Sequence, residues 1–200
     1  MAPRREKMGI GVSGCLLGEP VRYDGGHRLN PWVADWLGGL PDVELVSFCP
    51  ETAVGMGVPR PPIRLVGPPQ NPRALGVEDP GLDVTTPLME YGRLMAQKWK
   101  SGSERLAGVV LKARSPSCGP GGVPVSSLGG GEAGVSPAGE AVSPASGMYA
   151  LGMVSTGLFA AQIMAGLPGL PVIHEEALAD ENLRLGFVNR ARLYWRAGPG

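Results

Sequence analysis

Met8-Gly9-Ile10-Gly11-Val12-Ser13-Gly14-Cys15 is a short apolar run, punctuated by glycine and closed by a cysteine. Its length and apolar content predict a buried strand over Met8 to Ser13, with Cys15 just past the carboxyl end. Val43 to Phe48 carries the β-branched and aromatic content of a second strand and runs directly into Cys49-Pro50. Leu106 to Lys112 predicts a third, followed shortly by Ser115-Pro116-Ser117-Cys118-Gly119. A fourth, Leu170 to His174, has no cysteine behind it.

Helical signals separate these strands. Asn30 is placed to cap a helix with Pro31 at its first position, Trp32, Val33, Trp36 and Leu37 as its apolar face, and Gly38-Gly39 as its stop. Thr86-Pro87 opens a second, in which Leu88, Tyr91, Met95 and Trp99 recur at the spacing of one buried stripe. Met153 to Ala165 and Glu175 to Trp195 also read as helical. Met56 to Pro72 is rich in proline and predicts a non-helical loop carrying Arg60 and Arg64. Gly119 to Gly147 is poor in large apolar residues and predicts a mobile lid or hairpin. Strands alternating with helices imply an α/β fold: one Rossmann-like domain over residues 1–200, with a mainly parallel sheet, flanking helices and a Gly/Ser/Pro-rich flexible insertion at 119–147.

With 200 residues and 43% hydrophobic content, the chain has enough apolar material for one ordinary core. Its 18 basic and 18 acidic residues cancel, so no global positive field draws in a long nucleic acid. No apolar stretch approaches the roughly 20 residues of a membrane helix, and the basic start leads into a strand rather than a signal-peptide core, which predicts a cytoplasmic protein without a membrane partner. Gly119 to Gly122 and Gly129 to Gly131 do not follow the strand-and-helix pattern of a nucleotide-binding loop.

In an open parallel sheet, loops at the carboxyl ends of neighbouring strands converge on the crevice where such folds bind ligands. All three cysteines of the chain occupy loops of that kind. In a reducing compartment they are not expected to form disulfides, and an odd count cannot pair fully within one chain. They are therefore either buried core residues or ligands of a shared metal or cluster. Without a local CxxC pair, zinc held by three thiolates and an iron–sulfur cluster both remain open.

Three ordered motifs, Cys15-Leu-Leu-Gly-Glu-Pro-Val-Arg-Tyr-Asp-Gly25, Phe48-Cys-Pro-Glu51 with Gly55-Met56 and Pro59-Arg60, and Leu111-Lys-Ala-Arg-Ser-Pro-Ser-Cys-Gly119, resemble the signatures of the thiouracil desulfidase family, also catalogued as domain of unknown function 523. The resemblance spans roughly residues 8 to 120, with a looser echo in Gly166 to Glu176. It implies a [4Fe-4S] cluster held by Cys15, Cys49 and Cys118, with the fourth iron open to the sulfur of a thiolated uracil. After Cys118 the Gly/Ser/Pro-rich stretch replaces the Tyr-Asp-Gly hairpin of many relatives.

Exchanging a thiocarbonyl sulfur for oxygen needs a Lewis acid, a water and a proton carrier. Glu51, tethered two residues from Cys49, is the candidate carrier, and Ser115 is the second candidate catalytic residue, with Ser117 beside it as a substrate-binding hydroxyl; the resemblance points to this glutamate and to a serine of this motif. Arg22, Tyr23, Asp24, Arg60 and Arg64 are candidate substrate-binding residues by hydrogen bonding and stacking. The implied substrates are a thiolated pyrimidine base, nucleoside or nucleotide, or thiolated uridine within tRNA; a non-catalytic metal or Fe–S binding module is the competing class. His27 and His174 stand at no ligand-like spacing and are assigned to structure. Arg184, Arg190, Arg192 and Arg196 with Tyr194 and Trp195 read as a solvated helix face in preference to an RNA patch.

Overall fold

A computed structural model describes residues 7–100, 104–127 and 153–198. In chain order these form β1 (Met8–Ser13), β2 (Val43–Phe48), the single-turn α1 (Pro50–Ala53), β3 (Ile63–Val66), β4 (Arg73–Gly76), α2 (Thr85–Lys100), β5 (Leu106–Leu111), β6 (Val123–Ser126), β7 (Val154–Ser155), α3 (Leu158–Gly166), β8 (Val172–His174) and α4 (Glu181–Ala197). Short 3₁₀ turns add Gly14–Leu17 and Glu175–Ala179, and a π-helical turn adds Trp32–Leu37.

The main sheet has the order β2-β1-β5-β8, and every pairing in it is parallel. Its strands lie where the sequence predicts all four. β1 and β5 are buried along their whole length because both faces of the sheet are covered, as is usual for parallel sheets. On one face Ile10 and Val12 pack with Val33, Leu37, Phe187 and Val188; on the other Leu106 and Val109 pack with Phe48, Trp99, Phe159 and Ile163. Gly11 is small for a reason: a Cβ there would stand 2.7 Å from Leu106 Cδ1.

Asn30 caps as expected, its Oδ1 accepting from the N–H groups of Trp32 at 2.9 Å and Val33 at 3.3 Å, although the turn it starts is π-type. In α2, Leu88 and Trp99 are buried as the periodicity predicts, but Gly92 and Ala96 occupy the centre of the buried stripe while Tyr91 and Met95 pack at its margin. The cause is α3, whose Gln162 Cβ would be only 2.8 Å from a Cβ at position 92.

A second four-stranded sheet, β4-β3-β6-β7, is not anticipated by the sequence. The expected loop over Met56 to Pro72 contains β3, because its prolines flank Ile63–Val66 without interrupting it. The expected lid begins instead with β6, which pairs in parallel with β3; residues 128–147 of that expectation lie outside the described residues. Met153 to Ala165 is likewise divided: β7 comes first, and α3 starts only after Gly157. This sheet packs on α2 through Leu65, Ala74, Val84, Leu88 and Val123.

Asp83 joins the second sheet to α2. Its Oδ1 accepts from Thr85 N at 2.9 Å and its Oδ2 from Arg73 Nη2 at 2.7 Å. Hydrogen bonding from Thr85, reinforced by Arg73, lowers the carboxyl to about 2 from an ordinary 3.8. A lowered folded-state value stabilises the protein above the unfolded value, and that contribution drains away as pH falls from 3.8 towards 2. Urea midpoints of the wild type and Asp83→Asn are accordingly expected to differ at pH 5 to 7 and to converge near pH 2, which equilibrium unfolding at several pH values would check.

Two of the four arginines of the C-terminal helix are engaged. Arg184 is buried, its guanidinium 4.0 Å from the Trp32 ring centre and 4.9 Å from that of Trp36, and Arg192 pairs with Asp42 at 2.8 Å. Arg190 and Arg196 are exposed. Among the described residues no helix is long and apolar enough to cross a membrane.

Candidate functional site

The order β2-β1-β5 makes the three cysteine-bearing strands immediate neighbours, all pointing the same way. Cys49, Cys15 and Cys118 therefore lie along one edge of the sheet, at its carboxyl ends. Cys15 is buried on the turn Gly14–Leu17, which Gly18 closes in the left-handed conformation at φ 89°. Cys49 is half-buried and immediately precedes α1; its Sγ lies 3.7 Å from Val21 O. Cys118 is buried in a turn organised by Ser115, whose Oγ accepts from the N–H groups of Ser117 at 3.3 Å and Cys118 at 3.1 Å.

All three cysteines are free thiols. Burial, then the neighbouring Cys49, pushes the Cys15 thiol up to about 11. Burial raises Cys118 further, and the charges of Glu51, Cys49 and Cys15 act in the same direction. Cys118 thus senses both other cysteines, and Cys15 senses Cys49, as like charges, a repulsion that a bound cation or cluster relieves. Among the described residues, no three His, Cys, Asp or Glu side chains converge as ligands of a single ion.

Beside the cysteines stands a continuous polar chain. Ser117 donates its hydroxyl proton to Glu51 Oε1 at 2.6 Å, so the 3.0 Å contact between the two serines has Ser115 as donor and Ser117 as acceptor. Glu51 Oε2 accepts from Arg60 Nε at 2.9 Å and lies 2.8 Å from its Nη2, an ion pair. The geometry thus runs Ser115, Ser117, Glu51, Arg60, with Ser117 Oγ also 3.8 Å from Cys118 Sγ.

Arg60, expected to bind substrate, is turned inward. Its remaining bonds go to Gly57 O and Val21 O, both at 2.8 Å, and only 3% of its side chain is exposed, so every guanidinium nitrogen is engaged. The Arg22–Tyr23–Asp24 loop is tied to the same framework by Arg60 N donating to Tyr23 O at 2.9 Å; Arg22 pairs with Asp24 at 3.2 Å and its guanidinium lies 5.1 Å from the Tyr23 ring centre. Arg64 stands on β3 in the second sheet, its Nε buried without a partner among the described residues, and joins no bond of this network. His27 Nδ1 accepts from Leu29 N at 3.2 Å, consistent with a structural role.

Sequence reasoning missed three residues at this edge. Ser13 accepts from Lys112 N at 3.1 Å, and the Lys112 ammonium donates to Glu175, which also accepts from Ala113 N at 2.6 Å. Lys112 was visible only as a motif neighbour of Cys118, and Glu175 only in the weak echo that ends at Glu176.

Fold and site together define the class: an α/β protein with three cysteines at the carboxyl ends of adjacent parallel strands, flanked by a hydrogen-bonded carboxylate. Within that class the chain belongs to the 2-thiouracil desulfurase family, whose model matches residues 10–175. It is 33% identical over 116 residues to the uncharacterized protein YbbK of Bacillus subtilis, covering 55% of this chain and 72% of that one. Among solved structures it resembles the [4Fe-4S]-dependent thiouracil desulfidase TudS, with a TM-score of 0.57 and 28% identity, over 91% of this chain and 99% of that one. The mixed α/β fold with its parallel sheet agrees with that neighbour.

Proposed function

We propose that this protein is a [4Fe-4S]-dependent desulfidase that converts thiolated uracil compounds to their oxo forms with release of hydrosulfide. The substrates that fit are 2-thiouracil and 4-thiouridine or its nucleotide. The observation that carries the reading is three free cysteines on adjacent strand ends with the Glu51–Ser117 pair directly alongside.

Cys15, Cys49 and Cys118 fit as the cluster ligands. They are soft donors, and thiolates bound to separate irons stand farther apart than the roughly 3.8 Å between ligands of one tetrahedral zinc. With only three cysteines in the chain, one iron is left open, and when bound the cluster supplies Lewis-acid chemistry for the departing sulfur.

The remaining steps fall to side chains. Exchange of C=S for C=O consumes one water and yields hydrosulfide and a proton, with no electron transferred. Glu51 Oε1 is the acceptor in reach of that water, and Arg60 fixes the carboxylate by holding Oε2, leaving Oε1 to work. Ser117 and Ser115 relay or orient protons from the other side. Arg22, Tyr23 and Asp24 line the neighbouring loop and suit the polar edge and face of a pyrimidine, while Arg64 stands farther along β3 as a candidate for substrate's remote groups.

The test is anaerobic reconstitution followed by a sulfide assay with 2-thiouracil, 4-thiouridine and its monophosphate, and 4-thiouridine-containing tRNA. Sulfide from the free compounds is expected. Sulfide from tRNA alone would move the substrate to RNA, and a fully loaded protein releasing none from any of them would leave a non-catalytic cluster-binding module.

A further inference from the structure

Among the described residues, two ion pairs are largely withdrawn from water: Arg60–Glu51, with side chains 3% and 14% exposed, and Lys112–Glu175, at 19% and 7%. The other ion pairs each have a partner at least 41% exposed on its side chain. Burying two charges costs more in desolvation than the attraction usually returns, so such a pair is weak evidence of a stability role. Arg60–Glu51 belongs to the proton-handling group above. Lys112–Glu175 has no assigned role.

Its position is defined by backbone bonds. Lys112 follows β5 directly, and its N–H donates to Ser13 Oγ at 3.1 Å, linking it to the last residue of β1, two residues before Cys15. Glu175 follows β8 directly, and its Oε2 takes the N–H of Ala113 at 2.6 Å while its Oε1 takes the Lys112 ammonium. Lys112 Nζ also reaches Ala113 O at 3.2 Å. Both long side chains are thereby immobilised at the carboxyl ends of the neighbouring strands β1, β5 and β8, whereas Glu51 follows β2 at the other end of the sheet order.

We propose that Lys112, clamped by Glu175, is a positioning cation for the cysteine site, placed to offset the negative charge that three thiolates bring to a bound cluster. The inference rests on the cluster reading above and deepens it. The geometry supports the placement: Lys112 N–H is tied to Ser13, two residues before Cys15, and its ammonium is held by Glu175. Glu175 is therefore a moderator as well as a clamp, since it holds the ammonium in place and attenuates its field.

Charge near an iron–sulfur cluster sets its reduction potential, which separates this role from a purely mechanical one. The experiment is an EPR-monitored reductive titration of the reconstituted cluster in full-length wild type, K112M, K112R and E175Q, each matched for iron content and checked by circular dichroism. K112M removes a positive charge and is expected to shift the oxidised-to-reduced ratio at fixed potential about tenfold towards oxidised, or about 59 mV for one electron. E175Q removes a negative charge and is expected to shift it the opposite way, while K112R stays close to wild type. Mechanical loosening of the β5–β8 junction would move K112M and E175Q in one direction. Shifts of the same sign, or none in either variant, would overturn the role of Lys112 while leaving the cluster intact. If K112M does not load, E175Q alone decides, because an unmoved or lowered potential there is equally fatal. A wild type that assembles no cluster would overturn the cluster reading and this inference together.

Discussion

Replacing Cys118 by Ser is expected to abolish both the cluster and sulfide release, and Cys15→Ser and Cys49→Ser are expected to do the same. A serine hydroxyl is a hard, weakly acidic donor, so the cluster loses one of only three protein ligands. The fold should survive, because each cysteine lies in a turn defined by other groups: Gly18 closes the turn at Cys15, Ser115 organises that at Cys118, and the Cys49 carbonyl, not its sulfur, accepts from Thr52 Oγ1 at 3.0 Å. Iron and sulfide analysis, visible absorbance and thermal unfolding measured together check this. Retention of a full cluster in any of the three variants would remove that cysteine from the ligand set.

Glu51→Gln is expected to separate cluster content from turnover. The amide keeps the volume and can still meet Ser117 and Arg60, but it cannot take up a proton, so the rate should fall by on the order of 10²-fold or more with iron content unchanged. Because Arg60 donates from Nε to Oε2 and holds Nη2 beside it, the variant amide should settle with its carbonyl oxygen towards Arg60 and its NH₂ towards Ser117, reversing the hydrogen bond that Ser117 now donates. Ser117→Ala removes the relay but leaves the carboxylate, and a smaller loss is expected. Single-turnover sulfide release with matched cluster loading measures both. A wild-type rate in Glu51→Gln would transfer the proton role to the serines.

The division between what was readable in the chain and what was not follows from the range of the forces involved. The central strands β1 and β5 were legible because they are buried on both faces and must be written as short apolar runs, Met8–Ser13 and Leu106–Leu111, and the edge strands β2 and β8 were legible through their β-branched and aromatic residues. The placement of a cysteine after three of them was legible for the same local reason. The second sheet was not: β3 and β6 have four residues each and β7 has two, too short for a periodic signal, and they become strands only by pairing with each other across long stretches of chain.

At the site, the sequence by itself determined which thiols, hydroxyls and carboxylates are available and the nearness of Glu51 to Cys49, since both depend on residue type and short spacing. Strand order was decided only by the tertiary structure, and it is strand order that brings Cys15, Cys49 and Cys118 to one edge. The same holds for Ser117 against Glu51 across 66 positions, for Arg60 turned inward, and for Lys112 with Glu175 across 63. Local sequence encodes which conformation a segment prefers and which donors it carries. Which donors meet depends on burial and pairing between segments far apart in the chain, where many combinations suit the sequence locally and only packing selects one.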